Sequence, residues 1–214
     1  SQHLSEKASN ALLKTLEEPT KNTVIVLITS NIQKLLPTLE SRCQIIQFYQ
    51  VNQDEIYEFL INLGEKRENA NIIAKIANGK PGLARLYYEN PEYYKNYREK
   101  ISQRLRLLRL PIYERLASSN SLFEHSKKNF MESHEIAEEE LNIWIVLMRD
   151  IFLLKNSCLH LIQNFYLVDE MKNITNIITN SKIKEIILKI YYAKQLLLKN
   201  AQPKIVYENF LINI

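Results

Sequence analysis

All three glycines of this 214-residue chain, Gly64, Gly79 and Gly82, fall in one short stretch, and none occurs after position 82. With only 6 prolines besides, turn-formers are too scarce for a many-stranded sandwich or barrel, and long runs of Leu, Ile, Lys, Glu and Asn favour helix. The fold class is therefore mainly α. At this length one large domain or two small ones can form. The 46% hydrophobic and 24% charged residues match ordinary soluble globular chains and speak against disorder or a membrane solvent.

From Ser5 to Glu18 the apolar positions Ala8, Ala11, Leu12, Thr15 and Leu16 make a helical stripe that Pro19 stops. Thr23 to Thr29 is short, continuously apolar and β-branched, which predicts a strand buried on both faces of a parallel sheet. A second candidate strand is Gln44 to Phe48. Nothing else reads as a strand of that kind, so the N-terminal sheet looks like half of a larger one.

Beyond it, Asn52 caps a helix striped by Ile56, Phe59, Leu60 and Leu63 and closed by Gly64. Ile72, Ile73, Ile76 and Ala77 repeat the pattern up to Gly79, and Pro81 suits the first turn of a third helix. Long helical patterns then take over, with breaks at Pro111, around Ser118 to Ser121, and near Asn156 and Ser157. Leu141, Trp144, Ile145, Met148 and Phe152 share one face, as do Ile183, Ile186, Ile187, Ile190 and Leu197. Pro203 opens the last helix.

The formal charge of +4 comes from 28 basic and 24 acidic residues interleaved along the chain, which permits nucleic acid without implying it. The one local basic cluster, Arg98 to Arg109, reads as a solvated helix face, with Ile101, Leu105 and Leu108 on a different face and phosphate contact as the lesser reading. Cys43 and Cys158 have no metal-ligand spacing, and His3, His125, His134 and His160 have neither Cys nor carboxylates at helical spacing, so no metal site is expected. The absence of a long apolar run or a signal-peptide pattern at the N-terminus leads to a cytoplasmic reading.

Three ordered motifs carry a specific resemblance. Asn10-Ala11-Leu12-Leu13-Lys14-Thr15-Leu16-Glu17-Glu18-Pro19, the strand ending Ile28-Thr29-Ser30, and Leu36-Pro37-Thr38-Leu39-Glu40-Ser41-Arg42-Cys43-Gln44 together resemble the bacterial clamp-loader family of AAA+ ATPases. The resemblance implies that Thr29 or Ser30 holds the sensor-1 position and that Arg42 is an arginine finger serving a neighbouring subunit. By themselves, Thr29 and Ser30 read equally well as strand-end caps, and a lone Arg42 as a surface residue.

Ala77-Asn78-Gly79-Lys80-Pro81-Gly82-Leu83-Ala84-Arg85-Leu86 resembles the family's sensor-2 helix. There the hydrolysing gamma and tau subunits carry arginine where this chain has Gly82, whereas delta-prime subunits show Gly-x-Pro-Gly. Lys80 and Arg85 read as solvated, since neighbouring helical positions point apart. Gly79-Lys80 is no P-loop: Ala74 occupies the place of the earlier glycine and Pro81 that of the Ser or Thr. The tryptophan-bearing helix with Arg149-Asp150, and Asn200-Ala201-Gln202-Pro203-Lys204, resemble the delta-prime collar. Within it Trp144, Leu141 and Met148 read as core and Arg149 as a structural ion-pair partner.

The resemblance implies residues 1–50 as the C-terminal part of an AAA+ domain, 51–92 as a helical lid and 93–214 as a collar that assembles with sister subunits. It places the Walker A and B elements before Ser1, so the chain reads as a C-terminal part without them. The implied function is a non-hydrolysing delta-prime-type subunit, not an enzyme and without a cofactor. Its partners would be gamma or tau and delta subunits, and, through the assembled complex, the sliding clamp and primer-template DNA. An ATP-hydrolysing gamma or tau subunit is the alternative. Helicase-type recombination factors and replication-factor small subunits fit the first motif and the chain's ending less well.

Overall fold

The computed structural model describes residues 12–13, 15–18, 23–29, 32–124, 126 and 129–214. Contacts divide the chain into two compact units, Ser1–Tyr49 and Gln50–Ile214. Among the described residues all regular structure is helical.

In the first unit, residues 12, 13 and 15–17 are helical, and the earlier part of the expected helix lies outside the described residues. The two expected strands are a correction. Neither 23–29 nor 44–48 forms a ladder with any described residue. Ile25 and Leu27 are half-buried, while Val24, Val26 and Ile28 stand 87%, 74% and 81% exposed, so the segment presents one open face instead of two covered ones. The physical reason is that β-branched composition favours an extended backbone but does not specify which residues would pair with it. A 3₁₀ turn at Ile32–Lys34 leads to the one-turn helix α1, Pro37–Glu40, which buries Leu39.

The second unit begins with three short helices: α2 (Gln53–Asn62), α3 (Arg67–Ala77) and α4 (Pro81–Glu89). Asn52 caps α2 by accepting from the Asp54 N–H, and Gly64, at φ 94°, turns the chain after it. Ile56, Leu60, Ile73, Ile76, Ala84 and Tyr87 close a small core among the three. Among the described residues six more α-helices follow: α5 (Pro91–Leu107), α6 (Ile112–Leu122), α7 (Phe130–Lys155), α8 (Val168–Thr175), α9 (Asn180–Leu198) and α10 (Pro203–Ile212). The long α7 is the central element, with α5, α8, α9 and α10 packed on it.

The expected faces are the buried ones. Leu141, Trp144 and Met148 on α7, and Ile183, Ile186 and Ile190 on α9, are all but inaccessible, with Ile145, Phe152 and Ile187 at the margins. The break expected around Ser118 to Ser121 is not there, because α6 runs through it. Ser118 Oγ donates to the Arg115 carbonyl and Ser121 Oγ to the Ser118 carbonyl, so both hydroxyls are satisfied by the preceding turn instead of competing with the helix.

Candidate functional site

Pro37 at the first position of α1 suits a helix start, since its missing N–H would have no partner there. The helix lasts one turn and ends in a tight knot at Thr38 and Leu39. Ser41 Oγ donates to the Thr38 carbonyl at 3.1 Å, and the Arg42 N–H to the Leu39 carbonyl at 3.2 Å. The Arg42 guanidinium then turns back on both sides. One Nη donates to the Thr38 carbonyl at 3.2 Å and the other pairs with Glu17 Oε1 at 2.6 Å. Even so gripped, the Arg42 side chain remains 39% exposed.

Of the two sensor-1 candidates, Thr29 is half-buried at the end of segment 23–29, and Ser30 lies outside the described residues. Cys43 and Cys158 are free thiols, and no group of three or more potential metal ligands occurs among the described residues.

In the Gly79-Lys80-Pro81-Gly82 turn the two glycines differ in kind. Gly79 has φ 77°, and a Cβ placed on it would lie 2.6 Å from Gln50 Cβ, so both backbone and space demand glycine. Gly82, in the first turn of α4, has no positive φ and no described atom within 4 Å of where its Cβ would be. Arg85 is paired with Glu89 one turn on, at 2.7 Å on an exposed surface.

One residue of the basic stretch on α5 is a correction. Arg104 is not solvated: it is buried and bidentate to Glu140 of α7, Nε and Nη2 lying 2.5 and 2.7 Å from the two carboxylate oxygens. Tyr207 of α10 donates to Glu140 at 3.1 Å, and Trp144 Nε1 donates to Tyr207 at 3.2 Å, so one network ties three helices. Burial pulls the Arg104 guanidinium's pKa down, but the bonds to Glu140 outweigh it and hold it above the usual range. Spacing gave the signal: Arg104 stands three residues after Ile101 and four before Leu108, on the apolar stripe itself. Of its neighbours, Lys100 pairs with Glu139 and Arg98 lies over the rings of Tyr94 and Tyr166. Arg98, Arg106 and Arg109 are exposed, so of the cluster only Arg104 is withdrawn from the surface.

Arg149 donates to the Leu161 carbonyl at 3.4 Å, and its nearest carboxylate contact, to Asp150, is long at 4.0 Å. Asp150 is the stronger structural element. Fully buried, it accepts from the N–H groups of Gln163 and Asn164 and from the Asn164 side chain. Burial raises its pKa, and those three bonds oppose the rise only in part. Sequence alone did not reveal this role, since the partners lie across a loop.

Comparison with known proteins gives these geometries a context. Residues 1–52, which include the Arg42 turn, match the family model described as "DNA polymerase III, delta subunit". The chain is 40% identical over 75 residues to the DNA polymerase III subunit delta' of Bacillus subtilis, covering 35% of this chain and 23% of that protein. To the delta' subunit of Buchnera aphidicola from Schizaphis graminum it is 31% identical over 150 residues, 62% of this chain and 45% of the relative. The chain resembles clamp-loader subunits of the delta-prime type.

The gamma subunit of that same Buchnera also matches, at 35% over 82 residues, or 36% of this chain and 23% of the relative. The delta-prime similarity thus extends over a longer part of the chain. It still spans less than half the length of these relatives.

Proposed function

We propose that this chain belongs to a non-hydrolysing clamp-loader subunit that donates Arg42 in trans to an ATP site on a neighbouring gamma or tau subunit. In this reading residues 1–50 are the C-terminal part of an AAA+ domain, 51–92 the lid and 93–214 the collar. The subunit works in the cytoplasm with gamma or tau and delta, and meets the sliding clamp and primer-template DNA through the assembled complex. Thr29 and Ser30 occupy a vestigial sensor-1 position.

The observation that carries the reading is the exposed Arg42 guanidinium, held at the end of α1 inside the stretch matched by the family model. A planar, permanently charged fork of that kind stabilises charge developing on a phosphoryl group in flight. Gly82 supports the non-hydrolysing half of the proposal, because glycine offers no side chain to a nucleotide bound beside the lid. The gamma relatives favour the alternative of a hydrolysing subunit over part of the chain. That alternative requires a phosphate-reading group at the lid, where Gly82 stands.

The test is ATP turnover, stimulated by DNA, of a loader reconstituted with the complete subunit. Arg42→Ala should lower turnover at the site it serves by on the order of 10³, and Arg42→Lys should not restore it, because an ammonium lacks the bidentate fork. Unchanged turnover in Arg42→Ala would end the proposal.

A further inference from the structure

From its grip on the finger, we infer that Glu17 is the positioning residue of Arg42: it holds the guanidinium in one orientation before the neighbouring phosphate arrives. This rests on the reading of Arg42 as a finger. Arginine carries five N–H donors, and the Thr38 carbonyl and Glu17 Oε1 engage two of them, one on each terminal nitrogen. No other described residue engages the guanidinium, so three donors, Nε–H and one on each terminal nitrogen, remain for a ligand while the grip is kept.

The character of the contact decides between holding and blocking. Both side chains are well exposed, 39% for Arg42 and 49% for Glu17, and pairs in water attract only weakly. A single solvated carboxylate cannot compete with a multiply charged phosphate for the guanidinium, so it is a poor brake. What it can do is remove rotamer freedom. An arginine biased toward one orientation by a carbonyl and a carboxylate has less to lose on engaging a phosphate than one sweeping through solvent. The pair also links residues far apart in sequence, so the finger's orientation is set by the helical segment 15–17 as well as by its own turn.

The experiment uses the complete subunit in reconstituted loaders whose assembly is verified by co-elution, reading kcat and KM for ATP. Glu17→Ala should lower kcat by about five- to tenfold with little change in KM, as expected for lost preorganisation rather than lost binding. Glu17→Gln keeps an oxygen that accepts from the guanidinium and should recover most of the loss. In an Arg42→Ala background, Glu17→Ala should have no further effect.

Full activity of Glu17→Ala, alongside a damaged Arg42→Ala, would overturn the positioning role and leave the finger standing. Turnover above the parent level in either Glu17 variant would make the pair a brake and overturn the role as well. An undiminished loss in the Arg42→Ala background would show that Glu17 acts elsewhere.

Discussion

Arg104–Glu140 and Arg42–Glu17 join the same two chemical groups at nearly the same distance, 2.5 and 2.6 Å, in opposite surroundings. The first lies inside the helical unit, bidentate, with Tyr207 donating to Glu140 and Trp144 donating in turn to Tyr207. The second lies on the first unit, single-pronged and open to water. In the interior, desolvation makes each charge depend on its partner, so the pair is committed. At the surface, water can replace either partner, so the pair is available. The comparison separates an arginine that specifies a fold from one free to act on something else.

The largest effect should come from the interior. Glu140→Ala strands a buried guanidinium and should lower the unfolding free energy of the chain by about 3–5 kcal/mol, read from urea denaturation. The double replacement Arg104→Met with Glu140→Leu should lose much less than that single change, because it removes both charges together. A single variant as stable as the parent would break the distinction between the two pairs.

Next in size is the turn before α4. Gly79→Ala must adopt a left-handed backbone and push against Gln50, and should lose about 1–3 kcal/mol. Gly82→Ala should be neutral or gain up to about 1 kcal/mol in the same assay. Smallest is Glu17→Ala, whose effect on stability should stay within about 1 kcal/mol whatever it does to turnover. A loss there as large as at Glu140 would show the surface pair to be structural.

The legibility of the sequence follows a similar divide. Helix periodicity is local, so the faces carrying Leu141, Trp144 and Ile183 could be read from spacing, and so could the caps at Asn52 and Gly64. Pairing of Thr23 to Thr29 is not local: its apolar composition marks a strand, but hydrogen bonds must come from residues that composition does not name. Serines at 118 and 121 misled because hydroxyls that break a helix in one context bond back to it in another. Arg104 misled for a different reason. Its charge points to solvent, although its place between Ile101, Leu105 and Leu108 puts it on the buried face.

For the candidate site, motif resemblance singled out Arg42 and the glycine turn, but Glu17 was only part of the motif. Its contact with Arg42 spans a stretch of chain over which no periodicity operates. The Asp150 anchor was hidden in the same way, since Gln163 and Asn164 approach it across a loop.

Position 82 holds a last consequence. Because neither the backbone angle nor any described neighbour dictates glycine there, the scaffold is indifferent to what that residue is. A side chain begun at this codon would meet no steric bar at its first carbon, which makes position 82 a place where the residue could change without rebuilding the helices around it.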